Sequence, residues 1–198
     1  MNSDLEKNLN SFYTLTEDKQ EQTLNEILAM ANSNKENFIE MLHAQKFNGL
    51  NNLPIFYEAL SNDLVNWASF FILEAKRLLH VAHKSEKPST VLNHFSEFSF
   101  INPDHFVYRD ELIEILLEEL NDQQASIRYF SLETILDFIN KNDKKAILRL
   151  GTLLNDSNWR IRYWAYLGLK ELDSLPEGRK MAIFDKMRVR LLDPYKFK

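Results

Sequence analysis

Five histidines, His43, His80, His83, His94 and His105, are the side chains best suited to metal or proton chemistry in this sequence. His80 and His83 stand three residues apart, which places both imidazoles on one face of a helix, near enough to share a metal ion. No third ligand falls in register, and Lys84 and Lys87 follow, adding positive charge where a cation would sit. Glu40-Met41-Leu42-His43 has the Glu-x-x-His step of di-iron bundles, which need that step twice together with further glutamates. A second step is missing. Glu118 and Glu119 are adjacent, so on a helix they do not face each other as an acid/base pair would. The chain has no cysteine, hence no thiolate nucleophile, disulfide framework or cysteine zinc site. It has no glycine-rich phosphate loop and no Gly-x-Ser-x-Gly elbow. These residues therefore lead to no catalytic, metal or cofactor site, and the expectation is a protein that is not an enzyme.

Charge is more informative. The net charge of the 198 residues is −5. Residues 1–74 hold 4 basic against 11 acidic side chains, residues 75–140 hold 6 against 11, and residues 141–198 hold 14 against 7. An acidic start and a basic end can mark two different kinds of partner surface, or two solvated faces. The first residues, Met1-Asn2-Ser3-Asp4-Leu5-Glu6-Lys7, lack the basic start and apolar run of a signal peptide. Leu64–Ala82 is the longest apolar-leaning stretch, but Asn66, Glu74, Lys76, Arg77 and His80 interrupt it, so no membrane span is expected. The chain reads as soluble and cytoplasmic.

Four glycines and five prolines are too few for the many tight turns of an all-β fold, so helices joined by short polar loops are expected. The pattern predicts short helices over residues 4–13, 16–31, 34–47 and 55–60. Gly49 serves as a stop, and Asn51-Asn52-Leu53-Pro54 as a reset. Residues 64–83 predict a long helix with a wide apolar face of Trp67, Phe71, Ala75, Leu78, Leu79 and Ala82. Residues 90–100 are aromatic and ambiguous between a helical turn or two and a loop. From there the periodicity is clean: helices over 106–120, 125–140, 143–154 and 158–172, and a last one opened by Pro176 and running to Leu192.

Two stretches in that half match each other. Leu120-Asn121-Asp122 with Ile127-Arg128-Tyr129 returns 34 residues later as Leu154-Asn155-Asp156 with Ile161-Arg162-Tyr163. A fixed period of this size marks stacked helical hairpins. The aspartates stand where a side chain can accept from the free N–H groups of the second helix. Ser131/Ala165 and Thr134/Gly168 are small, as close helix packing requires.

This pattern resembles the HEAT repeat over about residues 111–173. Asp122, Ile127-Arg128, Ser131 and Ile135 correspond to its signature, as do Leu153-Leu154, Asp156, Ile161-Arg162, Ala165 and Leu169. Leu191-Leu192-Asp193 is similar to the end of one further first helix. The resemblance implies an all-α fold, an alpha-alpha superhelix or solenoid of helical hairpins. The length of 198 residues suits a single domain over 1–198, irregular over 1–105 and clearly repeated over 106–198 with a capping helix. The resemblance also implies that Asp122, Arg128, Asp156 and Arg162 bridge neighbouring repeats, and that second helices line a concave face.

Removing the residues that repeat leaves the candidates for contact. Opposite the core side of the second helices stand Ser126, Glu133 and Asp137, then Arg160, Leu167 and Glu171, flanked by large aromatics. Tyr129, Phe130, Trp159, Arg160, Tyr163 and Trp164 form the candidate partner-binding patch, since aromatics and Arg dominate interface energetics. The alternative is that these aromatics only wedge between helices. At the basic end Arg179, Lys186 and Arg190 fall together and could contact phosphates. The leading expectation is an adaptor that binds a partner protein on the second-helix face, without cofactor. A DNA-binding or DNA-repair protein using the basic end is the alternative. An immunity- or chaperone-type inhibitor using the acidic half is a third.

Overall fold

A computed structural model describes residues 3–47 and 53–192. The expected stop at Gly49 and the Asn51-Asn52 reset lie outside these residues. Among the described residues there are eleven α-helices, three short 3-10 segments and no strand, so the fold is all-α. No described helix is long and apolar enough to cross a membrane. The chain forms two compact units, Met1–Ala68 with Phe100–Phe106 and Ser69–Ser99 with Val107–Lys198.

The first unit contains α1 (Ser3–Asn10), α2 (Glu17–Ser33), α3 (Lys35–Phe47), α4 (Leu53–Ser61) and the opening turn of α5 (Leu64–Lys84). Glu17 and Asp18 occupy the first turn of α2, where the helix dipole favours negative charge. The Asn34 side chain accepts from the Asn37 N–H at 3.1 Å and so starts α3. α2 packs on α1, α3 and α4, burying Ile27, Ala31, Phe38, Leu42, Phe56 and Leu60. Trp67 is 1% exposed. A buried indole N–H needs an acceptor, and Asn32 Oδ1 supplies it at 2.9 Å. Lys35 lies 5.1 Å from the centre of the same ring.

The second unit holds the rest of α5, α6 (Pro88–Leu92), the 3-10 stretch that follows it, α7 (Arg109–Glu119), α8 (Ala125–Phe138), α9 (Lys144–Leu153), α10 (Trp159–Glu171) and α11 (Ile183–Leu191). The ambiguous residues 90–100 are thus a short α-helix continued by 3-10 turns. α7 packs on α8 and α9 on α10, while α7 also meets α9 and α8 meets α10. First helices lie against first helices and second against second. Phe71, Phe95, Phe98, Leu116, Ile127, Ile135, Leu150, Ile161 and Leu169 are buried, each stabilising the fold by roughly 1.5–3 kcal/mol. Gly168 marks the closest approach of α8 and α10: a Cβ there would lie 2.2 Å from Leu136 Cδ2.

The last helix differs from expectation. It begins at Ile183, not at Pro176. Asp173 and Gly178 both adopt positive φ (50° and 71°), and the Arg179 N–H bonds the Pro176 carbonyl at 3.0 Å. Pro176 therefore opens a turn that the left-handed Gly178 completes, and a helix cannot pass through it.

Candidate partner-binding site

The turn aspartates accept from the N-cap residues rather than from the free N–H groups of the second helices, and α10 is capped by Asn158, whose side chain accepts from the Arg160 N–H at 2.9 Å. Asp122 Oδ1 accepts from the Gln124 N–H at 2.6 Å and Asp156 Oδ1 from the Asn158 N–H at 2.7 Å. The second-helix arginines form rungs to the following segment. Arg128 donates Nε and Nη2 to the two oxygens of Asp156, at 2.8 and 2.9 Å. Arg162 makes the same fork with Asp185 of α11, at 2.7 Å twice. A third rung joins Arg109 to Asp143. Each second-helix arginine also donates Nη1 to the carbonyls of its own turn, Asp122 and Asp156 respectively. Asp122 differs from the expected ladder. Its free carboxylate oxygen faces His83 at 3.4 Å, while the other ring nitrogen of His83 faces Glu119 at 3.0 Å.

His83, Glu119 and Asp122 are the one group of three possible metal ligands among the described residues. The His83 ring thus lies between two carboxylates, one facing each nitrogen. His80, the other half of the sequence pair, meets Lys84 Nζ at 2.8 Å instead.

The expected aromatic patch divides. Tyr129 and Phe130 are 1% and 7% exposed, stacked edge to face at 5.1 Å, so they are core residues and offer a partner no surface. Eight of the fourteen residues of α8 are buried, because α8 packs on α6 as well as on α7 and α10. α10 buries only Ile161, Ala165, Gly168 and Leu169. Trp159, Arg160, Tyr163 and Trp164 are half-buried. The Arg160 guanidinium lies 4.6 Å from the Trp159 ring centre, and Tyr163 meets Trp164 edge to face at 5.7 Å. At the basic end, Arg179 donates to the Leu154 carbonyl and Asn155 Oδ1 at 3.0 and 2.8 Å. Lys186 and Arg190 are exposed on α11.

The face between α8 and α10 forms a notch of about 320 Å³, lined by Ser96, Ser99, Glu133, Leu136, Asp137, Trp164, Leu167, Gly168 and Glu171. It carries three carboxylates and no cation. Burial, then the nearby charge of Asp137, raises the Glu133 carboxyl above its ordinary value. Burial alone raises Asp137. Neither has an ion-pair partner among the described residues. The Tyr129 hydroxyl lies beneath, 3.5 Å from Glu133 Oε1, and burial followed by the Glu133 charge pushes its ionisation well above the usual tyrosine range. Ser96 and Ser99 donate their hydroxyls to backbone carbonyls at 2.6 and 2.7 Å, and no imidazole or amine lines the notch to activate them.

A wider groove of about 620 Å³ runs between α7 and α9, past Glu114, Leu117, Glu118, Lys145, Leu148 and Arg149. Its charges already answer one another, as Lys145 bridges to Glu114. The notch differs in holding charge that the protein leaves uncompensated. Sequence reasoning placed Glu133, Asp137, Leu167 and Glu171 on this face but missed Ser96 and Ser99, which come from the irregular stretch, and Asp185, which falls outside the 34-residue period. No protein-family model, curated protein or solved structure matches this chain.

Proposed function

We propose that this chain is a non-enzymatic interaction module that grips a partner protein on the α8/α10 face. The notch there takes a lysine or arginine side chain of that partner. One observation carries the reading: Glu133 and Asp137 lie in a concave site with Trp164 as a wall and no cation to answer them. Glu133 is half-buried, with the exposed Asp137 one turn on, and a carboxylate held partly out of water is costly unless a positive group joins it. An indole wall adds a cation–π contact of about 0.5–2 kcal/mol. The hairpins with their Arg–Asp rungs support a HEAT-like reading of the scaffold, in which second helices are the binding helices.

Nucleic acid at the basic end has weaker support. Arg179 is committed to the α9–α10 turn, and Lys186 and Arg190 border apolar side chains rather than a cationic trough. The test is affinity purification of the tagged chain from its host. Wild type is compared with Trp164→Ala and with Glu133→Lys. The reading expects a protein captured by wild type to be lost with both variants while their folding is retained. Retention of the same partner by Glu133→Lys would refute it.

A further inference from the structure

The last helix presents a second surface, with different chemistry. Asp185 of α11 is 2% exposed and holds the helix to Arg162, and Val189, one turn on, is half-buried. The opposite face is bare: Ile183, Phe184, Met187 and Leu191 are 74, 75, 52 and 77% exposed. Residues 183, 187 and 191 recur every fourth position and so form one stripe, with Phe184 beside it. Other large exposed hydrophobics, Tyr13, Val65, Leu73, Val107 and Leu148 among them, belong to separate elements. A continuous exposed stripe, unlike scattered single residues, marks an interaction site.

The borders of the stripe specify the partner. By helical angle Lys186 and Arg190 lie on one side of it and Arg188 on the other. Lys186 and Arg190 are exposed and carry no ion pair among the described residues. The helices that precede α11 in the stack supply the geometry. α7 packs on α8 and α9 on α10, whereas among the described residues no helix covers the apolar stripe of α11, which takes the rung from Arg162. We infer that the α11 face docks an amphipathic helix of a partner protein, apolar on one side and bordered by Asp and Glu.

Two other occupants fit less well. Nucleic acid would use Lys186 and Arg190 but gains nothing from four exposed apolar side chains. Binding to a membrane surface scales with the apolar area buried, and nine residues spanning roughly 13 Å offer little of it.

The test measures fluorescence anisotropy of a labelled acidic amphipathic peptide of about five turns, titrated with the full chain. A scrambled peptide of the same composition, anionic vesicles and duplex DNA are the comparison arms. The inference expects the amphipathic peptide to bind about tenfold or more tightly than the scrambled one. Phe184→Asp with Met187→Asp should weaken it at least tenfold, with an unchanged far-ultraviolet melt because both positions are exposed. Lys186→Glu with Arg190→Glu should weaken the acidic peptide and favour its basic counterpart. Equal binding of the two peptides, binding unaffected by Phe184→Asp/Met187→Asp, or binding only to vesicles or DNA would overturn it. So would wild-type self-association abolished by the same double substitution, which would make a second copy the occupant.

Discussion

Replacing Arg128 by Met removes the centre of the rung system and keeps most of the side-chain length. In the folded chain Arg128 and Asp156 are 11% and 6% exposed at the side chain, and the guanidinium also bonds the Asp122 and Gln123 carbonyls at 2.7 and 3.0 Å. Without it Asp156 keeps its bond from the Asn158 N–H and the nearby charge of Arg162, but loses its paired guanidinium. Breaking one side of such a pair costs about 3–5 kcal/mol, because a charge is left out of water. A fully exposed pair would cost less than about 1 kcal/mol. Against a total stability of about 5–15 kcal/mol, the predicted loss is large. Urea unfolding followed by Trp159 and Trp164 fluorescence should show a lower midpoint with little change in slope. Asp156→Asn in the Arg128→Met background should cost less than in the wild type, with a coupling of about 1.5–3 kcal/mol. A loss below about 1 kcal/mol for Arg128→Met, with no coupling, would refute the claim that these rungs hold the hairpins together.

Glu133→Gln should raise stability at neutral pH by about 0.5–1 kcal/mol. The sign follows from burial: the folded state holds this carboxyl above its unfolded value, so the fold binds its proton more tightly. The contribution of Glu133 and Asp137 therefore improves as pH falls from neutral through their folded-state titration, and a urea series across that range checks it. Affinity for a cationic ligand should move the other way, rising with pH over the same window as the carboxylates ionise. Gly168→Ala should change stability by less than about 1 kcal/mol, since the gain in helix propensity is set against the displacement of the Leu136 side-chain end that a Cβ requires. Because Leu136 also lines the notch, the same variant should bind a cationic peptide several-fold more weakly, as titration calorimetry would show.

The repeat was legible because stacking imposes residue types at fixed spacing. Arg128, Asp156 and Arg162 each stand where a rung is needed, and Gly168 where two helices approach. Asp185 was not legible, since it reaches Arg162 from the first turn of α11 rather than from a turn in register. The start of α11 was misread by giving weight to Pro176 as a first helical residue and too little to Gly178, whose left-handed backbone ends any helix there. Tyr129 and Phe130 were placed on a face by helical angle alone. Angle does not reveal how much of a helix is covered, and α6, from the ambiguous stretch, adds a neighbour that the repeat does not contain. The acidic side of the notch could be read from the sequence as Glu133, Asp137 and Glu171. That it is concave, walled by Trp164 and empty of cations needed the three-dimensional arrangement.

The central claim is that the α8/α10 notch receives a positive side chain. Its most direct test follows the Trp164 indole N–H resonance while the chain is titrated with short peptides of equal length carrying arginine, lysine or glutamate. The account predicts a saturable shift with the arginine and lysine peptides, little with the glutamate peptide, and loss of the response in Glu133→Gln/Asp137→Asn. No shift with either cationic peptide, or an equal shift in that double variant, would contradict it.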